Sequence, residues 1–385
     1  MYQGSPPHHP FTDNHSMIKF LDIKKITDSF QPEIGRVVAQ VIDSGSFIRG
    51  KEVRAFEEAY GSFIGSRYCV GVGNGFDALR LIFKAWMSSG VLREGDEVIV
   101  PANTYIASIL AVVDNRLTPV FVEPDINTFT IDPARIEDKI TGRTKAIMVV
   151  HLYGKNAMNG DIMQLSEKYG LKVIEDNAQA AGCFAGTART GSFAAGAHSF
   201  FPTKNLGALG DAGAVTTNDP ELAQAIRTLG NYGSDKKGIN DLRGVNSRLD
   251  ELQAAVLSLK LRRLDEDNAR RQKAAMFYHA HITNRDVVLP RVPPAGERKE
   301  HVWHLFVIRC AHRDQLQQYL MRHNIETLVH YPVPPHKQQA FKEMNHLTFP
   351  ISEQIHREVL SLPLHPVIEE HELQKVAEVL NTFSH

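Results

Sequence analysis

Between residues 68 and 229 the sequence alternates short apolar runs with amphipathic stretches, and this alternation restricts the fold more than any other feature. The runs at 68–72, 97–100, 118–122, 145–151, 171–175, 197–200 and 214–217 are four to seven residues long. Most carry consecutive apolar residues rather than apolar residues at every second position, which is the pattern of strands covered on both faces. Helical spacing fills the intervals at 78–88, 107–114, 133–140, 161–169 and 221–229. The expected class is therefore α/β, with a mostly parallel central sheet flanked by helices. Ligands of such sheets collect at the loop ends along one edge.

The flanking regions read differently. Apolar residues at helical spacing (Ile26, Phe30, Ile34, Val37, Val38, Val41) predict one helix over 24–44, and a second is expected at 52–64. Residues 233–246 are polar and contain Asp235, Lys236 and Lys237, as a flexible arm would. A leucine- and charge-rich helix over 250–269 leads to an α+β pattern after about 275, with a strand at 302–309 and helices at 314–323 and 369–384. The expected division is a large domain at 17–250, a bridging helix at 251–274 and a small C-terminal α+β domain at 275–385. Residues 1–16 carry Pro-Pro, three histidines and no periodicity. They are expected to be a flexible leader or a cloning remnant, lacking the apolar stretch of a signal peptide.

Composition excludes several classes. A formal charge of −1 provides no global basic field for nucleic acid or an anionic membrane. The three cysteines are widely spaced, which suits a reducing cytoplasm better than a disulfide framework. The 18 histidines form no metal-binding spacing. No apolar run reaches membrane-spanning length.

The stretch Ser199-Phe-Phe-Pro-Thr-Lys204-Asn-Leu-Gly207 sets one lysine among apolar and small residues. Apolar surroundings favour the neutral amine, the form that attacks carbonyls, and a pyridoxal 5'-phosphate (PLP) site needs such a lysine. It also needs a carboxylate beside the pyridine nitrogen, a partner for the ring hydroxyl, an aromatic face and phosphate donors. Asp176, at the end of a predicted strand, suits the first need, and Gln179, three residues on, the second. Tyr105 is a candidate for stacking. The Gly71-Val-Gly73-Asn-Gly75-Phe76 turn before a helix offers backbone N–H groups to a phosphate, with Ser199 and Asn246 as further donors. Each of these residues has an ordinary alternative: Asp176 as a helix cap, Tyr105 as a core aromatic, the glycine turn as a plain strand–helix connection.

Six ordered blocks resemble the DegT-type nucleotide-sugar aminotransferases: Asn74-Gly-Phe-Asp-Ala-Leu79, Pro101-Ala-Asn-Thr-Tyr105, Glu175-Asp-Asn-Ala-Gln179, Pro202-Thr-Lys-Asn-Leu-Gly207, Asn246-Ser-Arg-Leu-Asp-Glu-Leu-Gln253 and His330-Tyr-Pro332. The resemblance runs from about residue 17 to the end. It implies the fold-type I, aspartate aminotransferase-like PLP fold, with Lys204 as Schiff-base lysine, Asp176 as pyridinium partner, Gln179 at the ring hydroxyl and Tyr105 on the ring. Gly75, Phe76 and Ser199 correspond to the phosphate cradle. Asn246 corresponds to a residue reaching the cofactor of a neighbouring subunit, which implies a homodimer with shared active sites. His330 and Tyr331 correspond to a loop near the sugar. Val120-Phe-Val-Glu-Pro124, His301-Val-Trp-His-Leu-Phe306 and His330-Tyr-Pro-Val-Pro-Pro-His336 are most similar to the 3-aminotransferases of dTDP-3-oxo-6-deoxyhexoses. The implied reaction moves nitrogen from L-glutamate to such a sugar, giving the galacto or gluco product, in the cytoplasm.

The chain departs from that pattern at Phe201, where the family usually has Tyr, at Thr203 in place of Gly, and at Ser46 in place of Trp. Phe201 removes a hydroxyl from beside the lysine and becomes a candidate for substrate selection. Three alternatives share the scaffold: transamination at C4 of a 4-ketosugar, a non-catalytic regulator, and a dehydratase, which carries His at the lysine position. A nucleotide-binding dehydrogenase would rest on the glycine turn alone, without GxGxxG spacing.

Overall fold

The computed structural model describes residues 17–236 and 238–384. The leader expected at 1–16 and Lys237 of the expected arm lie outside them. The main sheet has seven strands: β1 (Tyr68–Val72), β2 (Glu97–Pro101), β3 (Thr118–Val122), β4 (Thr144–Val150), β5 (Lys172–Asp176) and, beyond a small hairpin of β6 (Phe184–Ala185) and β7 (Ala188–Arg189), β8 (Ala195–Ser199) and β9 (Gly213–Thr217). Their order is β1-β9-β8-β5-β4-β2-β3. Neighbours from β8 to β3 are parallel, and β9 runs antiparallel to both β8 and β1.

The apolar runs form this sheet because both faces are covered. Along β4, Ala146, Met148 and Val150 face one hydrophobic cluster while Ile147 and Val149 face another. That is the period of two expected of a strand. Helices α4 (Gly75–Ser88), α5 (Ile106–Asp114) and α7 (Pro220–Leu229) cover the first face, and α6 (Gly160–Tyr169) covers part of the second. A third cluster joins α3 (Lys51–Ile64) and α8 (Glu251–Leu261) to Phe200 and Ala214. Burying a side chain of Phe200's size contributes about 2–3 kcal/mol.

The helix predicted over 24–44 is two helices, α1 (Ile23–Asp28) and α2 (Glu33–Ser44). Pro32 separates them, because proline lacks an N–H and excludes helical geometry from the residue before it. The helix predicted over 250–269 divides into α8 and α9 (Leu264–His281). Arg263 leaves helical geometry at the junction (φ −110, ψ 0), and its guanidinium lies 3.6 Å from the Phe30 ring centroid. Residues 133–140 form two 3-10 turns rather than one helix. The strand predicted over 302–309 shortens to β10 (Phe306–Arg309), since Trp303 takes a positive φ of 49 and stacks on His301.

β10 pairs with β11 (Val359–Leu362), and α10 (Arg313–Arg322), α11 (Pro350–Glu358) and α12 (Glu370–Asn381) complete the C-terminal region. Its apolar cluster also takes in Ala274, Ala275 and Tyr278 of α9 and, from the start of the described chain, Ile18, which bridges to Ile325.

Candidate active site

β1, β2, β4, β5 and β8 all end on the same edge of the sheet, and the loops leaving them line one cleft of about 470 Å³. Ten of the eleven residues singled out in the sequence line it: Gly75, Phe76, Tyr105, Asp176, Gln179, Ser199, Phe201, Lys204, His330 and Tyr331.

Lys204 sits in the turn after β8. Alternation at the strand end sends Phe200 inward, against Phe56 and Tyr60 at 5.4 and 5.1 Å between ring centroids, and leaves Phe201 48 % exposed at the cleft. The Lys204 N–H donates to Phe201 O at 2.8 Å, and a Cβ on Gly207 would stand 2.4 Å from Pro202 O, so only glycine lets the turn close. Burial lowers the Lys204 amine to about 8, against the opposing pull of Asp176.

Asp176 ends β5 and is 6 % exposed. Burial raises its pKa, while hydrogen bonds from Ser108 Oγ (2.8 Å) and the Ala178 N–H (3.2 Å), and the charges of Lys204 and His151, act against that rise. Ser108 is itself 2.8 Å from Thr104 Oγ1. A buried carboxylate held this way, with no cation within ion-pair distance among the described residues, is suited to receive one. The neighbouring Glu175 points to the other side of the strand. It accepts the Gly191, Phe193 and Ala194 N–H groups and meets His151 Nε2 at 3.1 Å.

Gln179 carries two contacts: its Oε1 accepts the Tyr153 N–H at 2.6 Å and its Nε2 donates to Tyr331 Oη at 3.0 Å. Tyr331 lies 4.9 Å from Tyr105 between ring centroids, and Tyr105 is 50 % exposed, presenting ring surface to the cleft. The Tyr153 hydroxyl donates to His330 O. His330 Nδ1 is 2.9 Å from Ser361 Oγ; burial, and then the charge of Lys204, lower its pKa to about 4. Burial raises the Tyr331 hydroxyl.

At the start of α4, Asn74 Oδ1 caps the Asp77 N–H at 2.8 Å, and the N–H groups of Gly75 and Phe76 have no acceptor within the helix. A Cβ on Gly75 would lie 2.5 Å from Ser199 Cβ, so glycine allows the helix N-terminus to approach the serine hydroxyl. Gly213, first in β9, pairs with both Val72 and Ser199, and a Cβ there would meet the Asn74 carbonyl carbon at 2.4 Å.

These features fit PLP. The glycine–serine cradle with a helix N-terminus suits a phosphate, the buried Asp176 suits a ring cation, and the depressed Lys204 amine suits a carbonyl.

Asn246 is the exception. It is exposed, bridges to Asn231 and does not line the cleft of its own chain. Sequence reasoning missed Ser108, Thr104, Tyr153 and His304. Ser108 lies in the first turn of α5 and Thr104 immediately before its N-cap, so no helical spacing linked them in the sequence. His304 lies within the block His301–Phe306 but has no role assigned from the sequence, and nothing local marked Tyr153.

The profile of the DegT/DnrJ/EryC1/StrS aminotransferase family matches residues 28–381. Over 370 residues the chain is 54 % identical to the dTDP-3-amino-3,6-dideoxy-alpha-D-galactopyranose transaminase of Aneurinibacillus thermoaerophilus, covering 96 % of this chain and 100 % of that one. The crystal structure of S. venezuelae DesV in complex with a ketimine intermediate has a TM-score of 0.91 at 40 % identity, covering 95 % of this chain and 98 % of that one. NtdA from Bacillus subtilis with bound cofactor PMP has a TM-score of 0.87 at 31 % identity, covering 96 % and 85 %.

Proposed function

The chain belongs to the DegT/DnrJ/EryC1/StrS aminotransferase family, and from that premise we propose that it transfers an amino group from L-glutamate to C3 of a dTDP-linked 3-oxo-6-deoxyhexose. It is a PLP-dependent enzyme with the α/β fold of its relatives. One observation carries the chemistry: an amine lowered to about 8 and a buried carboxylate share a cleft with a glycine–serine anion cradle. The C3 position and the 6-deoxy sugar are supported by the similarity to the A. thermoaerophilus transaminase, which favours the galacto product.

In this reading Lys204 would anchor the cofactor and Asp176 would serve its ring nitrogen. Gln179 would serve the ring hydroxyl, Tyr105 the ring face, and Gly75, Phe76 and Ser199 the phosphate. PLP, when bound, supplies a carbonyl for the incoming amine and an electron-withdrawing ring. Lys204 Nζ takes the α-proton of the amino donor and in the second half-reaction returns a proton to sugar C3. The ionised Asp176 keeps positive charge at the ring nitrogen's position. His330, Tyr331 and Phe201 border the sugar, with His330 neutral above pH about 4.

The protein works as a homodimer in which Asn246 serves the second copy's site. This is supported by its exposure outside its own cleft and by exposed apolar residues at and near the cleft, Tyr105, Phe201 and Leu209 among them. The division into a large domain at 17–250, a bridge at 251–274 and a small domain at 275–385 belongs to the same proposal. It is supported by the separate C-terminal cluster that begins on α9. No helix among the described residues is long and apolar enough to cross a membrane, in keeping with a cytoplasmic location.

The test is glutamate-dependent conversion of dTDP-3-oxo-6-deoxyhexoses of both C4 configurations, with products identified by mass spectrometry and Lys204→Ala as control. Full activity in that variant refutes the assignment of Lys204. Turnover only with a 4-ketosugar refutes the C3 assignment.

A further inference from the structure

An aminotransferase must hold the carboxylate of its amino donor as well as the ketosugar. The cleft described above has no arginine among its lining residues, and its one lysine is Lys204. A second cavity of about 230 Å³ adjoins it, and the two share Thr203, His304 and His330. Its other walls are mainly apolar, from Phe20, Leu21, Leu305 and Leu364, with Leu328 at the rim. Into this apolar setting the fold brings one guanidinium, that of Arg271 on α9.

Arg271 is 3 % exposed and has no carboxylate within ion-pair distance among the described residues; Asp267, one turn earlier on α9, is paired with Arg263 at 3.2 Å and acts on Arg271 only from farther away. Its Nη1 donates to Leu364 O at 3.0 Å and, weakly, to His304 O at 3.4 Å. Its Nε is a buried donor without an acceptor. Buried guanidinium groups are usually paired with a carboxylate or phosphate, because two carbonyls do not offset the loss of hydration. Glu326 also lines the cavity, but one of its oxygens is engaged by the Phe20 N–H at 2.9 Å, and it lies beyond ion-pair distance of Arg271. His304 stands between the two sites, its Nδ1 held by Asn205 Oδ1 at 3.0 Å.

We propose that this side cavity is the amino-donor subsite, in which Arg271 receives a carboxylate of the donor while the donor's amino group reaches the Lys204 cleft past Thr203 and His330. The proposal rests on the aminotransferase reading. It assigns to the cavity a ligand class, an acidic α-amino acid or its dicarboxylate keto acid, which the ketosugar cleft does not itself provide for. A carboxylate would supply the acceptors that Arg271 lacks, and the apolar walls would accommodate the methylene chain between two carboxylates.

The experiment compares wild-type holoenzyme with Arg271→Met, Arg271→Lys and Leu328→Trp. The last fills the cavity from its rim, where Leu328 is 42 % exposed, without touching the carbonyl contacts of Arg271. The Michaelis constants for L-glutamate and for the ketosugar are measured separately, and the affinity for glutarate, a donor-like dicarboxylate without an amine, is measured by calorimetry. Loss of a charge-assisted pair predicts a rise of about tenfold to a hundredfold in the glutamate constant for Arg271→Met. The ketosugar constant should stay within about twofold, glutarate affinity should fall in parallel, and Arg271→Lys should be intermediate. A merely structural arginine would raise both constants together or only lower the melting temperature. That outcome, or unchanged glutarate binding in both Arg271→Met and Leu328→Trp, overturns the proposal. If Arg271→Met does not fold, Leu328→Trp and Arg271→Lys decide. If wild type shows no glutamate-dependent turnover, the aminotransferase reading fails and glutarate binding alone judges the subsite.

Discussion

Gln179 and Tyr331 meet across the cleft, with Gln179 Nε2 donating to Tyr331 Oη at 3.0 Å while the same amide's Oε1 accepts the Tyr153 N–H at 2.6 Å. One side chain thus ties the loop after β4 to the C-terminal loop that carries His330. Replacing it by Gln179→Leu leaves a buried hydroxyl and a buried N–H without partners, at a cost of about 1–3 kcal/mol each. The melting temperature should fall by several degrees, and kcat/KM by about tenfold or more as Tyr331 loses its position. Gln179→Glu keeps an acceptor for the Tyr153 N–H and offers the Tyr331 hydroxyl an acceptor in place of the lost donor, and should retain most of the stability. Equal losses in the two variants would show that the amide does not hold Tyr331.

The pKa of Lys204 makes stability depend on pH in a definite direction. Burial lowers the amine in the folded chain to about 8, against an ordinary 10.5. Between these values the unfolded chain binds more protons, so stability rises with pH across that window. Below about pH 8 the folded protein carries a charge that its surroundings resist. Cofactor-free Lys204→Met should therefore be more stable than cofactor-free wild type at pH 7, by about 1–3 kcal/mol. The gap should close toward pH 10.5, as urea titrations at several pH values would reveal. A gap that is constant with pH would rule out this origin.

Gly75 and Ser199 test the anion cradle as a pair. A Cβ on Gly75 would stand 2.5 Å from Ser199 Cβ. Gly75→Ala should weaken PLP binding by about tenfold to a hundredfold, measured by fluorescence titration of cofactor-free protein. Adding Ser199→Gly removes the colliding atom and should restore part of the binding. The double variant then binds more tightly than the sum of the single effects predicts. Strict additivity would count against the steric account.

Shared sites in a homodimer make a separate prediction. Lys204→Ala and Asn246→Asp chains should each be inactive or nearly so, the second through a negative charge placed beside a phosphate. Mixed in equal amounts and allowed to exchange, half the dimers would be hybrids, each with one intact site. About a quarter of wild-type activity should then return. Simple averaging of the two parents would mean that Asn246 does not act across an interface.

Glu251 offers a test of stability away from chemistry. It is 1 % exposed and accepts the Gly50, Glu52 and Val53 N–H groups at 2.6, 2.9 and 3.1 Å, capping α3 from α8. Glu251→Ala should cost about 2–4 kcal/mol, because it leaves three donors at a helix start without partners. Chemical denaturation measures this directly. A loss under about 0.5 kcal/mol would mean that water replaces the carboxylate.

The strands were legible because burial on both faces writes an apolar run into the sequence, and all seven appear within two residues of their expected positions. The lysine, the carboxylate and the glycine cradle were legible because each stands at the end of such a run. Failures came where long-range contacts decide local geometry. Arg263 breaks a helix beside a ring more than two hundred residues upstream, and Trp303 ends a strand early through a positive φ. Asn246 lies outside its own chain's cleft, and sequence spacing carries no direction that would have shown it. Arg271 drew no notice in the sequence, and only tertiary packing shows it buried with no carboxylate within ion-pair distance among the described residues.

The reversed strand β9 has a consequence for tolerance to mutation. It lies between β1 and β8, so the α4 N-terminus and Ser199 belong to strands two places apart, about 10 Å. They touch only because Gly213, between them, has no side chain to hold them apart. A position that does not line the cofactor cleft thus governs whether the cradle closes, and an alanine there should produce an enzyme that folds yet releases its cofactor. Surveys of harmful variants in this chain should find Gly213 as intolerant as the residues of the cradle itself.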